Sequence, residues 1–452
     1  MKIIIVGMGK IGSAIAYQLV NEGHDVTAVD TQSEKLYKVS EDMDISFVKG
    51  SGADSDILSE AGVQNADLVI AVTANDEINL LCCLVAKKMG AAYTICRVRN
   101  PEYRDSVELI KGDLGLSLVV NPEREAALEM ERIIENPFAK NVESFMDGKV
   151  KLFSFMLSAD SPLCGNSVQQ ISAKTKTESL FCAVERGNEL FIPFGSFVFE
   201  ENDTVTAIAF ASGMHKLLAE LGISRTKINN IIIVGGGTTA LYLAKQLLKR
   251  KTAVSIIEKD MKRAEFVSLE IPEADVINAD GTEHTVLEEE GLSEADAICF
   301  LTGIDEENII SSLYAKNLNP KIKTITKINR AELGRMVKSL GIGSVVSLKQ
   351  MSANLVLQYV RAKQNSIGSS VRTLYKLLDD RLEALEFEVK DNSRLINIPF
   401  KDLRLKENIL IACINRGGEL KVPNGSDVLK SGDNVIIVTT VSGLNELDEI
   451  GR

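Results

Sequence analysis

The sequence predicts an α/β protein of two tandem units, each a doubly wound parallel-sheet lobe followed by a small α+β lobe. Three observations support this fold class. An apolar, strand-like run leads into a glycine-rich turn and a helical pattern at the start of the chain. Strand-like and helix-like segments then alternate, as they do in parallel sheets with crossover helices. The same order of landmarks returns 228 to 230 residues later, which indicates a tandem duplication.

The first 30 residues have the pattern of a dinucleotide-binding unit of the Rossmann type. Lys2–Val6 is a short apolar run suited to a buried strand, and Gly7-Met8-Gly9-Lys10-Ile11-Gly12 follows it directly. In this G-x-G-x-x-G pattern the first glycine permits a tight turn, the second lets a diphosphate approach the backbone, and the third allows close helix–strand packing. The start of the following helix offers free N–H groups to phosphates. A glycine-rich turn without a ligand is the alternative.

A second strand pattern ends at Asp30, 23 residues after Gly7. A carboxylate at this distance can accept hydrogen bonds from the ribose hydroxyls of a dinucleotide. The same carboxylate would repel a 2′-phosphate. The sequence therefore favours NAD(H) over NADP(H) as the ligand.

Further alternating patterns complete the first lobe, with strands predicted at 45–48, 66–72, 93–98 and 117–120 and helices at 76–88 and 123–135. Thr73 and Ala74 end the fourth strand, beside the crevice where the strand order of such a sheet reverses and ligands bind. Arg97 ends the fifth strand and could pair with a phosphate; a solvated surface arginine is the alternative. The ligand-binding residues predicted in this lobe are Gly7, Met8, Gly9, Lys10, Ile11, Asp30, Thr73, Ala74 and Arg97.

From residue 146 onward strand-like runs dominate, which predicts a small α+β lobe. Its strands are predicted at 150–157, 180–185, 190–192 and 204–210, its hairpin turn at 186–189 and its closing helix at 213–221. Residues 136–144 are predicted to separate the lobes, and 224–229 and 364–370 are predicted linkers. The predicted domain boundaries are 1–121 and 228–347 for the parallel-sheet lobes and 141–225 and 368–452 for the small lobes.

The second half repeats the site pattern, and two of its replacements bear on the ligand or on helix packing. Ala240 replaces the third glycine, which is tolerated because that position governs helix packing rather than ligand approach. Lys327 replaces Arg97, and a lysine is a point charge where an arginine is a planar fork, so the two sites could prefer different ligands. The ligand-binding residues predicted in this lobe are Gly235, Gly236, Gly237, Thr238, Thr239, Glu258, Thr302, Gly303 and Lys327.

Composition excludes several classes of function. The net charge of −12 argues against nucleic acid as a partner and against direct docking on anionic lipid. No apolar run approaches the roughly 20 residues that a membrane helix needs, and the chain begins with a strand rather than a signal peptide. Direct membrane insertion is therefore not expected. The seven cysteines show no C-x-x-C spacing, which favours buried, reduced thiols in a cytoplasmic protein over a structural zinc site.

No catalytic or metal-binding constellation is evident. The three histidines, His24, His215 and His284, are scattered and lack a carboxylate or cysteine pattern around them. Tyr359 and Lys363 have the Tyr-x-x-x-Lys spacing of short-chain reductases, with Ser347 upstream, but residues 131–135 in the first half carry no such pair. The spacing is therefore interpreted as chance. We expect a ligand-binding regulator and no enzyme; an NAD-dependent dehydrogenase and a scaffold with vestigial sites are the alternatives.

The chain resembles the TrkA family, the cytoplasmic subunits of bacterial and archaeal Trk potassium uptake systems, which carry two RCK (regulator of potassium conductance) units in tandem. The resemblance covers essentially the whole chain. The segments that carry it are residues 7–12, Asp30, Thr73 with 76–79, Arg97 with 100–103, and 235–240. The resemblance implies NAD(H) binding at the residues named above, and ATP or ADP at some of the same clefts. It also implies a homo-oligomeric ring, a tetramer, placed peripherally on the inner face of the cell membrane beneath a membrane potassium-translocating subunit of the Trk type. The chain departs from an even repeat at residues 161–165, where the glycine of the first small lobe has no counterpart in 393–397.

Overall fold

A computed structural model describes residues 1–223, 227–330, 333, 337, 340–365, 371–378, 381–441, 443, 444 and 446–451. The chain forms two compact units, one from Met1–Ile134 with Ile228–Tyr359 and the other from Glu135–Lys227 with Val360–Arg452. The first unit contains two parallel-sheet lobes and the second contains two antiparallel-sheet lobes. The predicted fold class is confirmed. The predicted linkers fall partly outside the described residues, at 224–226 and 366–370.

The first lobe is a parallel sheet whose strand order, β3-β2-β1-β4-β5-β6, reverses between β1 and β4. Its strands are β1 (Lys2–Val6), β2 (Asp25–Asp30), β3 (Ser46–Lys49), β4 (Leu68–Ala71), β5 (Tyr93–Arg97) and β6 (Leu118–Val120). Its helices are α1 (Lys10–Asn21), α2 (Ser33–Asp42), α3 (Ser55–Glu60), α4 (Asp76–Lys88), α5 (Arg104–Ile110) and α6 (Pro122–Glu135). The reversal leaves a crevice at the carboxyl ends of β1 and β4, as such sheets require.

The first small lobe is an antiparallel sheet of order β10-β9-β11-β8-β7. Its elements are β7 (Asn141–Phe145), β8 (Val150–Met156), α7 (Val168–Lys174), β9 (Ser179–Arg186), β10 (Glu189–Phe191), β11 (Thr204–Phe210) and α8 (Met214–Glu220). The predicted spacer at 136–144 is wrong in part, because β7 pairs with β8 along the sheet edge. Its polar composition conceals an edge strand. Helix α7 was not predicted, although Ser167 and Gln170 form a capping box, which is a recognised signal of a helix N-terminus.

The second parallel-sheet lobe repeats the first, with the order β14-β13-β12-β15-β16-β17. Its strands are β12 (Asn230–Val234), β13 (Ala253–Ile257), β14 (Asp275–Ile277), β15 (Ala297–Phe300), β16 (Lys323–Lys327) and β17 (Ser344–Val346). Its described helices are α9 (Thr238–Lys249), α10 (Met261–Glu270), α11 (His284–Glu289), α12 (Asp305–Leu318) and α13 (Leu348–Asn365).

Helix α6 joins the two parallel-sheet lobes. It follows β6 of the first lobe, yet its apolar face packs into the core of the second. Residues Ala126, Ala127, Met130 and Ile134 of α6 share one buried cluster with Leu243, Leu247 and Ile233. The Arg250 Nε donates to the Glu131 carboxylate at 2.6 Å on the same side. The start of α6 therefore lies at the junction between the lobes.

The second small lobe has the order β18-β19-β22-β20-β21, with β18 (Val371–Leu377), β19 (Leu382–Glu388), β20 (Ile409–Arg416), β21 (Glu419–Lys421) and β22 (Asn434–Thr439). One buried ion pair recurs in both small lobes: Arg186 Nε donates to Asp203 at 2.8 Å, and Arg416 Nε donates to Asp433 at 2.8 Å. A fully buried carboxylate needs such a partner. Its recurrence supports the duplication inferred from the sequence.

The cysteines behave as buried thiols. All seven are free, and all but the partly exposed Cys164 are buried. Burial raises the pKa of Cys82 to about 12 and also raises the pKa of Cys182 and Cys299. Since thiolates are the reactive form, we expect iodoacetamide at neutral pH to label only Cys164 in the folded chain and every cysteine after denaturation. Mass spectrometry of the labelled peptides checks this, and early labelling of Cys182 or Cys299 would contradict it.

Candidate functional site

The glycine-rich turn between β1 and α1 forms the floor of the first crevice. Gly7 has φ +98°, and a Cβ there would lie 2.8 Å from the Thr73 nitrogen. A Cβ on Gly12 would lie 1.9 Å from the Gly7 carbonyl oxygen. A Cβ on Gly9, by contrast, would meet nothing within 4 Å. Gly7 and Gly12 are thus required by packing of the protein itself, whereas Gly9 leaves open space above the backbone, where a ligand can approach.

Helix α1 begins over this open space without a side-chain cap. Gly9 is the N-cap residue and no side chain accepts from the first-turn N–H groups. Those groups carry the positive end of the helix dipole. Gly9, Lys10 and Ile11 all line the cavity in the crevice. The arrangement suits a diphosphate.

Asp30 stands at the end of β2 and is held rigidly. It is only 8% exposed, and its two carboxylate oxygens accept from the Met8 nitrogen at 2.7 Å and the Gln32 nitrogen at 2.9 Å. The Lys35 Nζ lies 4.0 Å from the carboxylate. Since an ionised carboxylate has about four lone-pair sites, two remain for ligand hydroxyls. Asp30 therefore faces the cavity with its position fixed by the backbone.

Asn79, which the sequence analysis did not single out as a site residue, connects the ends of β4 and β5. Its side chain is fully buried, accepts from the Thr73 nitrogen at 2.8 Å and from the Thr73 hydroxyl at 2.7 Å, and donates to the Arg97 carbonyl at 3.0 Å. The same contacts recur around Asn308 in the second lobe. The signal was in the sequence, because Thr73-x5-Asn79 is repeated as Thr302-x5-Asn308.

Arg97 is not a solvated surface arginine. One terminal nitrogen donates to the Thr73 carbonyl at 3.3 Å, and Nε is buried without a hydrogen-bond partner among the described residues. Burial lowers the pKa of Arg97, and attraction to the Glu123 carboxylate partly offsets this. A half-buried cation with an unused donor at the edge of a cavity is suited to an anionic or carbonyl group of a ligand.

The cavity above these residues has a volume of about 710 Å³, within the usual range for small-molecule sites. All the predicted residues of this lobe line it except Met8, which is buried and uses its amide to hold Asp30. Asn329, Leu348 and Lys349 of the second lobe also line it, so the site is composite. The lining residues that sequence analysis missed are Val6, Val29, Thr31, Gln32, Lys35, Gly50, Ser51, Gly52, Val72, Asn75, Ile78, Glu123, Asn329, Leu348 and Lys349.

The second crevice repeats the main features of the first. Gly235 has φ +101°, and a Cβ on Gly237 or Gly303 would meet nothing within 4 Å. Glu258 accepts from the Gly236 nitrogen at 2.7 Å and from the Asp260 nitrogen at 2.9 Å, as Asp30 does in the first lobe. Thr238 and the buried Thr239 begin α9, and Thr302 ends the strand at the reversal point.

Two side chains distinguish the second crevice. The Arg263 Nε donates to the Gly236 carbonyl at 2.7 Å, and its guanidinium lies over the Phe266 ring at 4.8 Å. Its counterpart 228 positions earlier is Lys35. The Lys327 Nζ donates to the Leu301 carbonyl at 2.7 Å, and burial lowers its pKa. A diphosphate on this loop would therefore lie beside the Arg263 guanidinium, at the position where the first crevice has the Lys35 ammonium group.

The residues considered for catalysis lie elsewhere. The Tyr359 ring packs edge-on against Tyr93, with centroids 6.2 Å apart, and is not part of the cavity wall. His24 lies 3.4 Å from the N-terminal nitrogen, and His284 stacks on Tyr314. Within the described part of the chain, no cluster of three His, Cys, Asp or Glu side chains has the arrangement of a metal site. No described helix has the length and apolarity to cross a bilayer.

Comparison with known proteins agrees with this architecture. The TrkA-N domain matches residues 3–122 and 231–348, and the TrkA-C domain matches 152–222 and 384–450. The chain is 32% identical to Trk system potassium uptake protein TrkA homolog 1 of Methanosarcina mazei, over 99% of each chain. It is 31% identical to Trk system potassium uptake protein TrkA of Halomonas elongata, over 97% of this chain and 95% of the other.

Among solved structures, the GsuK channel bound to NAD superposes with a TM-score of 0.65 at 18% identity, over 97% of this chain and 76% of that one. This likeness shows a shared fold. The matched domains and the relatives over the full length decide the family: the chain belongs to the TrkA family.

Proposed function

We propose that the chain is a nucleotide-sensing regulatory subunit of a potassium uptake system. The observation that carries this proposal is the duplication of the glycine-rich crevice, with no cluster of metal ligands among the described residues. The relatives named above are potassium uptake proteins of the Trk system. On this proposal the chain is cytoplasmic, assembles as a homo-oligomeric ring, a tetramer, and docks peripherally on a membrane potassium-translocating subunit of the Trk type.

The proposed ligand of the first crevice is NAD(H). Its diphosphate would lie over the backbone of Gly9, Lys10 and Ile11, and its adenosine ribose would donate to Asp30. Arg97 would meet the distal half of the molecule. The NAD bound by the structurally similar GsuK channel supports this ligand. ATP or ADP would use the same phosphate-binding backbone, with the cations Lys10 and Lys35 beside it and Arg97 in the same cavity wall for the terminal phosphate.

Sensing follows from the composite wall of the first cavity. A nucleotide that touches Asn329 or Lys349 as well as the first lobe binds one arrangement of the two lobes better than another. Binding then shifts the population of arrangements. A tenfold shift needs only about 1.4 kcal/mol of differential binding free energy. Because the membrane partner would be in contact with the chain, this shift would change the fraction of partner molecules that are open.

Potassium flux through the reconstituted partner tests the proposed function. We expect NADH added with the full chain to change the flux, and NADPH at the same concentration to have little effect, because Asp30 repels a 2′-phosphate. ATP and ADP are titrated in parallel to assign activator and inhibitor. Flux that is independent of every nucleotide would contradict the proposal. Sustained NADH oxidation with carbonyl substrates would instead support the dehydrogenase considered above.

A further inference from the structure

Glu123 is a half-buried carboxylate in the wall of the first cavity. It is the second residue of α6 and forms part of the cavity wall together with Arg97 and Lys349. One of its carboxylate oxygens is buried and has no partner among the described residues. Burying a charge without a partner is costly, so such a group is retained where its charge acts on something nearby.

The charge of Glu123 acts on both crevices. Because the apolar face of α6 packs into the second lobe, the start of this helix lies at the lobe junction. Burial lowers the pKa of Arg97 in the first crevice, and attraction to Glu123 partly offsets this. Burial likewise lowers the pKa of Lys327 in the second crevice, where attraction to Asp305 and Glu123 partly offsets it. Arg97 and Lys327 occupy equivalent positions, at the ends of β5 and β16, and both are predicted ligand-binding residues.

The junction is not symmetric. Strand β6 and helix α6 of the first lobe correspond to β17 and α13 of the second at an offset of 226. At that offset the counterpart of Glu123 is Lys349, which lines the first cavity. At positions 123 and 349 the junction therefore carries a single carboxylate, Glu123, beside both Arg97 and Lys327. A symmetric junction would carry one carboxylate for each of these two basic side chains.

We propose that Glu123 couples the two crevices, so that an anionic nucleotide in one weakens nucleotide binding in the other. The inference rests on the proposed nucleotide binding. A ligand phosphate or carbonyl that engages Arg97 takes over the role of Glu123 there. The carboxylate then acts on Lys327 alone and competes with a second ligand for it. Thermodynamic linkage requires the reverse effect to be equally large.

Single-crevice variants of the full chain make the coupling measurable. Gly9→Val closes the first crevice and Gly237→Val closes the second, since both glycines face open space. Calorimetric titration of these two variants with ADP gives the affinity of each crevice alone. The buffer contains EDTA, so that no divalent cation bridges the ligand to a carboxylate. We expect the second binding step of the parent chain to be weaker than independent sites predict by about fivefold, the lower end of common coupling strengths.

Glu123→Gln is the decisive variant. In the parent background we expect it to restore independent binding, and in each single-crevice background to tighten ADP binding, because the competitor for the cation is gone. Glu125→Gln, two residues along the same helix and outside the cavity wall, is the matched control and should leave the coupling unchanged.

Several results would overturn the coupling. One is independent binding of two ADP molecules in the parent chain. Another is a second binding step that stays as weak in Glu123→Gln as in the parent. A third is weaker ADP binding when Glu123→Gln is added to the single-crevice variants, which would make Glu123 a direct ligand contact. ADP binding in one crevice only would overturn it as well. Absence of binding in both crevices would remove the proposed function itself, and the single-crevice titrations separate that outcome from failure of the coupling.

Discussion

Gly9→Val is expected to abolish nucleotide binding in the first crevice while the chain remains folded. A Cβ at this position meets no protein atom within 4 Å, and Gly9 has φ −76° and ψ −170°, an extended conformation that valine adopts readily. The added side chain would occupy the space above the backbone that a diphosphate needs. We expect the affinity for NADH at this crevice to fall about 100-fold, which corresponds to about 2.7 kcal/mol.

Calorimetric titration with NADH measures this loss, and circular dichroism checks the fold. Gly237→Val is the matched control, because it places the same side chain in the equivalent open position of the second crevice. It should leave the first crevice unaffected. NADH affinity in Gly9→Val equal to that of the parent would mean that the ligand does not cross this part of the turn.

Gly12→Ala is expected to destabilise the first lobe strongly, although it changes one hydrogen for a methyl group. The new Cβ would lie 1.9 Å from the Gly7 carbonyl oxygen and 3.1 Å from its carbon, and neither backbone atom can move without breaking the turn. The Gly7 nitrogen already donates to the Val29 carbonyl at 2.7 Å, which fixes the turn on β2. We expect the free energy of unfolding to fall by about 3 kcal/mol, the upper part of the range for overpacking.

Urea unfolding followed by circular dichroism checks the loss, with Gly9→Ala as the control that adds the same methyl group in open space. The control should change the free energy of unfolding by less than about 0.5 kcal/mol. A Gly12→Ala chain as stable as the control would contradict the packing described here. Ala240 shows that the second lobe accommodates a methyl group at the equivalent position. A Cβ on Gly235 would lie 3.2 Å from its nearest neighbour, against 2.8 Å for Gly7, so the turn there is less tightly packed.

The sequence was sufficient to predict those elements whose signals lie close together along the chain. The strand, glycine turn, helix and acid of residues 2–30 form one supersecondary unit, so spacing alone predicted each part. The tandem repeat then predicted the second lobe without further assumptions. The boundaries of α4, Asp76–Lys88, were predicted to the residue, because acidic residues at its start and basic residues at its end agree with the helix dipole.

The features that the sequence analysis missed depend on segments far apart in the chain. The packing of α6 on the second lobe joins residues about a hundred positions apart, and Lys349 lies more than two hundred positions from the first-lobe residues that share the cavity wall with it. No periodicity reports such contacts. Arg263 illustrates a second limit. Its place in the sequence gives no sign of a role at the crevice, and only its 2.7 Å contact with the Gly236 carbonyl places it over the glycine-rich loop.

The structure of the chain with bound NADH tests the central claim most directly. The account predicts the diphosphate over the backbone of Gly9, Lys10 and Ile11, with a hydroxyl of the adenosine ribose within hydrogen-bonding distance of the Asp30 carboxylate. NADH bound outside this crevice, or a crevice that stays empty at saturating NADH, would contradict it.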